Sequence, residues 1–119
     1  MNKRYEEGSE NSDTNTLDQM ESYIDALEMY AEQAKIFSEN GVQYYKDLYN
    51  FGMHVTYSTR AYIALNDTEN KKLIKAASIK SLSHMAVLRD HLLNCPEDNR
   101  DSKIIMNIID SVISLMRAN

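Results

Sequence analysis

Chain breakers are scarce in this sequence. Its 119 residues include one Pro and three Gly, too few for the many turns of a β-rich fold. A single cysteine, Cys95, excludes an internal disulfide framework and every multi-cysteine zinc pattern. That usage suits a reducing compartment. No stretch approaches the roughly 18–20 consecutive apolar residues of a membrane span. The opening MNKRYEEGSENSDTNT lacks the apolar core of a secretory signal peptide. The expectation is a cytoplasmic protein of one domain with one core and no membrane association.

Motifs that carry chemistry are missing as well. A di-iron carboxylate bundle needs Glu-x-x-His pairs. The residues three before His54, His84 and His91 are Phe51, Ser81 and Leu88. His84 and His91 share a helix face but stand about 10 Å apart by helical rise, too far to share one metal. A phosphotransfer bundle would want Lys at the third position after its His; here those positions hold Tyr57, Val87 and Asn94. Cys95 has no His or Asp context that would make it a nucleophile. There is no phosphate loop and no nucleophile elbow. No catalytic residue, metal site or cofactor is expected, and the chain reads as a non-enzyme.

Charge is uneven. The net charge is −5. Residues 1–40 hold three Lys/Arg against ten Asp/Glu, a balance of −7, whereas residues 41–119 hold ten against eight, a balance of +2. This argues against generic duplex-DNA binding, which needs a basic stripe to displace counterions, so no nucleic-acid partner is expected.

What the sequence does have is helical periodicity, most heavily at its end. Residues 104–116 read IIMNIIDSVISLM, nine of them large and apolar. The exceptions Asn107, Asp110, Ser111 and Ser114 recur at i, i+3, i+4, i+7, one narrow stripe of an α-helix. A strand is disfavoured because the adjacent pairs Ile104-Ile105 and Ile108-Ile109 break alternation. A helix apolar over most of its circumference must be buried on more than one side. It follows Pro96 and a polar connector, with Asp101 or Ser102 as its cap.

Upstream, residues 1–15 are polar without apolar period and read as a disordered tail, a frayed terminus or a recognition segment. A first helix starts near Thr16, where Thr16 and Gln19 have capping-box spacing. Leu17, Met20, Ile24, Leu27, Ala31 and Ala34 then form an apolar seam. Its opposite side is an acidic rail of Asp18, Glu21, Asp25, Glu28 and Glu32. Like charges at this spacing cost a few tenths of a kcal/mol per pair, so the rail calls for a compensating partner. Glu39-Asn40-Gly41 ends the helix.

A second helix covers about residues 42–65, with a seam through Tyr44, Leu48, Phe51, Val55, Ser58 and Tyr62. It holds five of the eight tyrosines. A third runs over about residues 69–94, capped by Asp67 or Thr68. Its buried stripe is read as Ile74, Ala77, Leu82, Met85, Leu88 and Leu92, with Ile79, Ala86 and Leu93 beside it. Lys71, Lys72, Lys75 and Lys80 are the natural internal match for the acidic rail.

The fold class expected is all-α: a four-helix up-down bundle over residues 16–119 with a disordered tail over residues 1–15. The last helix has more apolar surface than one face of a monomer uses, so a homodimer or a helical partner is expected. The leading function is a non-enzymatic interaction protein of chaperone, adaptor, regulator or immunity type. It would bind a basic protein partner through Glu21, Asp25, Glu28 and Glu32 together with a helix-4 face around Ile105, Ile109 and Met116. The alternative is a small-molecule or lipid sensor with a pocket between helices 2 and 3, lined by Tyr44, Phe51, Tyr62, His84 and Met85.

Overall fold

In the computed structural model the chain turns at Gly41, whose φ of 84° lies in the left-handed region that glycine enters without steric cost. Before the turn runs α1 (Lys3–Ser38); after it come α2 (Gln43–Leu65), α3 (Lys71–Leu93) and α4 (Arg100–Ala118). The structure describes residues 3–95 and 100–119, with side chains from Asn15 onward. Among the described residues there is no strand. The tail expected over residues 1–15 falls almost wholly where side chains lie outside the described residues. The bounds of α1 extend upstream of Thr16, so the Thr16–Gln19 spacing does not open the helix.

Two other caps differ from expectation. Helix α3 is capped by Asn70, whose side chain accepts from the Leu73 amide at 3.1 Å. Thr68 instead closes the preceding turn, its hydroxyl donating to the Leu65 carbonyl at 2.6 Å. Helix α4 begins at Arg100, so Asp101 and Ser102 are inside its first turn. There Asp101 faces the positive end of the helix dipole. Most of the polar connector, at residues 96–99, lies outside the described residues.

Side-chain pairs fix the relative directions. Ala31 faces Gly52, and Asp25 and Glu28 reach Arg60, so α1 and α2 run antiparallel. Thr59 meets Ser81 and Tyr44 meets His91, so α2 and α3 do too. Helix α4 starts near the start of α2, where Tyr44 and Ser102 share a 3.0 Å hydrogen bond. It ends near the end of α2, where the Asn119 amide donates to the Tyr62 hydroxyl at 2.9 Å. Helices α1 and α3 each pack closely against α2 and α4 and occupy non-adjacent corners.

The core is the expected seam of α1 (Met20, Ile24, Leu27, Ala31 and Ala34) closed by Leu48, Val55 and Tyr62 of α2, Met85, Leu88 and Leu92 of α3, and α4. Each large apolar side chain buried there stabilises by about 1.5–3 kcal/mol before entropy. Helix α3 buries Met85, Leu88 and Leu92 and packs Ile74 and Ala77 against the core as expected, but Ser81 is fully buried in place of Leu82, and Leu82, Ile79 and Leu93 are exposed. The cause is a polar match across the α2–α3 interface. Ser81 turns inward to share a 2.7 Å hydrogen bond with the buried Thr59 hydroxyl, which satisfies both groups. Thr56, also fully buried, donates to the Gly52 carbonyl one turn earlier at 2.9 Å.

Candidate docking surfaces

The seven residues expected to bind a partner divide into two groups. Ile105 and Ile109 are 1 % exposed and Met116 is 8 % exposed, all within the core of a single chain. They do not form a surface. None of the nine large apolar residues of α4 is exposed: five are buried, and Ile104, Met106, Ile113 and Leu115 pack half-buried against the core. The surplus apolar surface expected on this helix is therefore absent. Its nearly continuous apolar circumference is taken up by α1 on one side and α3 on the other.

The acidic rail is at the surface, but its centre is occupied. Arg60 on α2 donates to Asp25 at 2.7 Å and to Glu28 at 2.8 Å, so one guanidinium bridges two carboxylates a turn apart. Those hydrogen bonds hold Arg60 still more firmly in its charged form. The expected match with the α3 lysines does not occur, because α1 and α3 occupy non-adjacent corners. Glu21 and Glu32 are exposed and have no ion pair among the described residues. Lys71, Lys72, Lys75 and Lys80 are likewise exposed, with no ion pair among the described residues.

Apolar surface is exposed elsewhere. On α3, Leu82, Ala86 and Leu93 line up with Ile79 on the outer face, with Ile79 55 % and Leu93 65 % exposed. On α1, Met29 and Ile36 are 65 % and 64 % exposed on the face bearing the rail. Sequence reasoning put Ile79 and Leu93 beside the buried stripe, read Met29 with the other helix methionines as core packing, and did not single out Ile36. The visible signal was the surplus of apolar positions on α3 beyond one stripe.

The pocket expected between α2 and α3 does not form as one cavity. Met85 is buried in the core, Tyr44 stacks on His91 at 4.4 Å, and Phe51 meets the same imidazole edge-on at 5.3 Å. The Tyr44 carbonyl accepts from His91 Nε2 at 2.9 Å, which places the ring proton on that nitrogen. Burial raises the Tyr44 hydroxyl to about 12. Tyr62 instead borders a groove of about 310 Å³ between α3 and α4, together with Ile74, Leu82 and Met116 and the cations Lys71, Lys75 and Arg117.

His84 stacks on His54 across the α2–α3 interface at 5.1 Å, with ring planes 11° apart. They border a shallow depression of about 200 Å³. Desolvation, then His54, then Lys80 lower the pKa of His84. The sequence showed both histidines, but only the antiparallel register of α2 and α3 brings them together. Among the described residues no three His, Cys, Asp or Glu converge as a metal site. No described helix is long and apolar enough to cross a membrane.

Comparison with known proteins finds no similar family model, curated protein or solved structure.

Proposed function

We propose that this chain is an up-down four-helix bundle that acts in the cytoplasm as a non-enzymatic interaction protein, of adaptor, chaperone or regulator type. Its docking surfaces are the outer faces of α1 and α3. The observation that carries the reading is the contrast between α3 and α4. Helix α4 leaves none of its large apolar side chains exposed, whereas α3 presents Ile79, Leu82 and Leu93 to solvent on one face. An aligned apolar stripe with lysines at one end is the pattern that helix-in-groove recognition uses. The acidic rail remains part of the proposal through Glu21 and Glu32; Asp25 and Glu28 are held by Arg60.

The test is site-specific photocrosslinking in cells. A crosslinking residue replaces Ile79 or Ala86 on the α3 face, and Lys46 on α2 serves as the exposed control. A discrete protein adduct from positions 79 and 86, with none from 46, is the expected result. No adduct, or equal labelling from all three positions, would contradict the reading.

The α3–α4 groove favours a second reading, a sensor for an amphipathic anion. Its floor is apolar and its rim carries Lys71, Lys75 and Arg117 without a bordering carboxylate. Saturable binding of decanoate monomers, with none of decyltrimethylammonium, is the expected result. Equal uptake of both amphiphiles would eliminate it.

A further inference from the structure

Two faces of this molecule are complementary to one another and cannot meet within one chain. The outer face of α1 presents Asp18, Ser22, Asp25, Met29, Glu32 and Ile36, all exposed. Their spacing alternates four and three, the seam of a helix that pairs along its length. The outer face of α3 presents Lys72, Lys75, Ile79, Leu82 and Ala86, also exposed and in the same alternation. One stripe is acidic and the other basic, and each carries exposed apolar residues toward its C-terminal half. In the folded chain α1 and α3 occupy non-adjacent corners, with their outer faces turned away from one another.

We propose that the occupant of the α3 face is α1 of a second copy of this chain. The proposal rests on the docking-surface reading above and names its partner. Laid parallel, Asp25, which keeps its ion pair with Arg60, falls beside Lys75, Met29 beside Ile79 and Ile36 beside the small Ala86, while Glu32 falls beside Leu82. Glu21 then lies near Lys71 and Lys72. Glu21 and Asp25 meet the bases at one end, and Met29 and Ile36 meet Ile79 and Ala86 at the other. A single register satisfies both, which is the arrangement that gives orientation as well as attraction.

The contact is heterologous, because each copy gives an α1 face and receives on an α3 face. Such contacts build rings where the rotation closes and open chains where it does not. In place of a homodimer or helical partner centred on α4, the association is head-to-tail through surfaces at different corners of the bundle. Screening by salt weakens it, because the ionic half of the contact is at the surface.

The test is a charge exchange followed by sedimentation velocity. One variant carries Asp18→Lys and Glu21→Lys; the other carries Lys72→Glu and Lys75→Glu. All four positions are exposed and have no ion pair among the described residues, so the helical signal serves as a check that both variants fold. A Met29→Glu variant, which alters the apolar half alone, gives a second route to the same contact. The expected result is that each charge variant alone associates at least about ten-fold more weakly than the unaltered chain. Mixing the two restores association, since each supplies the face the other lacks. Association of the unaltered chain that neither charge variant nor Met29→Glu weakens would overturn the proposal. So would a mixture no heavier than its components. A photocrosslink from position 79 to a different protein would overturn it as well, while leaving the docking-surface reading intact.

Discussion

A Cβ placed on Gly52 would stand 3.0 Å from the Cβ of Ala31. This is a close approach of α1 and α2, and it is set by a hydrogen on one helix facing a methyl group on the other. Neither atom can rotate away, because both are fixed to helical backbone. Gly52→Ala gains about 1 kcal/mol in helix propensity but forces the two helices apart through the buried Ala31. The expected net effect is destabilisation. In an Ala31→Gly background the same change should be stabilising. Urea unfolding of the four proteins of this cycle should give a coupling of about 0.5–3 kcal/mol. Additive effects would mean that the close approach is not formed.

The Thr59–Ser81 pair orients α3. Thr59→Val leaves the fully buried Ser81 hydroxyl without its 2.7 Å partner, an expected cost of about 1–3 kcal/mol. Thr59→Val with Ser81→Ala removes both polar groups and should restore most of that loss. Chemical denaturation measures both variants; equal destabilisation by the single and the double change would refute the assignment.

Arg60 bridges Asp25 and Glu28 where its side chain is about a third exposed (32 %). Solvent screens such pairs, so Arg60→Gln should cost about 0.5–1 kcal/mol at low salt and less at high salt. Thermal unfolding at two ionic strengths checks this. A loss independent of salt would mean that burial of the Arg60 stem matters more than its charge.

His84 sets a pH dependence whose sign follows from its lowered pKa. The charged imidazole is disfavoured in the folded chain by desolvation, by His54 and by Lys80. The unfolded chain therefore takes up the proton first as pH falls. Stability from this group is full above the ordinary His range and declines from there down to the lowered folded pKa. Between about pH 7.5 and about pH 5.5, the unaltered chain should lose more thermal stability than His84→Gln. An equal loss in both would show that His84 is not the group responsible.

The helices were legible because the spacing of Met20, Ile24, Leu27, Ala31 and Ala34, and of Leu48 and Val55, is a local property of the sequence. Gly41 was legible for the same reason. The place of Ser81 in the buried stripe of α3 was not. A hydropathy stripe ranks Leu82 above Ser81, and only the Thr59 hydroxyl on another helix reverses that order. The partner of the acidic rail was misplaced on α3 because charge counting carries no topology; a single Arg60 on the adjacent helix does what four distant lysines cannot reach. Ile105, Ile109 and Met116 were read as surface because an apolar helix is consistent with either a covered core element or an interface. The coverage of α4 by both α1 and α3 decides for the core.

The most direct measurement is the mass of the unaltered chain by light scattering over a dilution series, at low and at high ionic strength. Association through the outer faces of α1 and α3 predicts a mass that rises with concentration at low salt and falls back when salt is added. A single-chain mass at every concentration and both salt levels would contradict it, and would leave the exposed stripes of α1 and α3 to a partner of different chemistry.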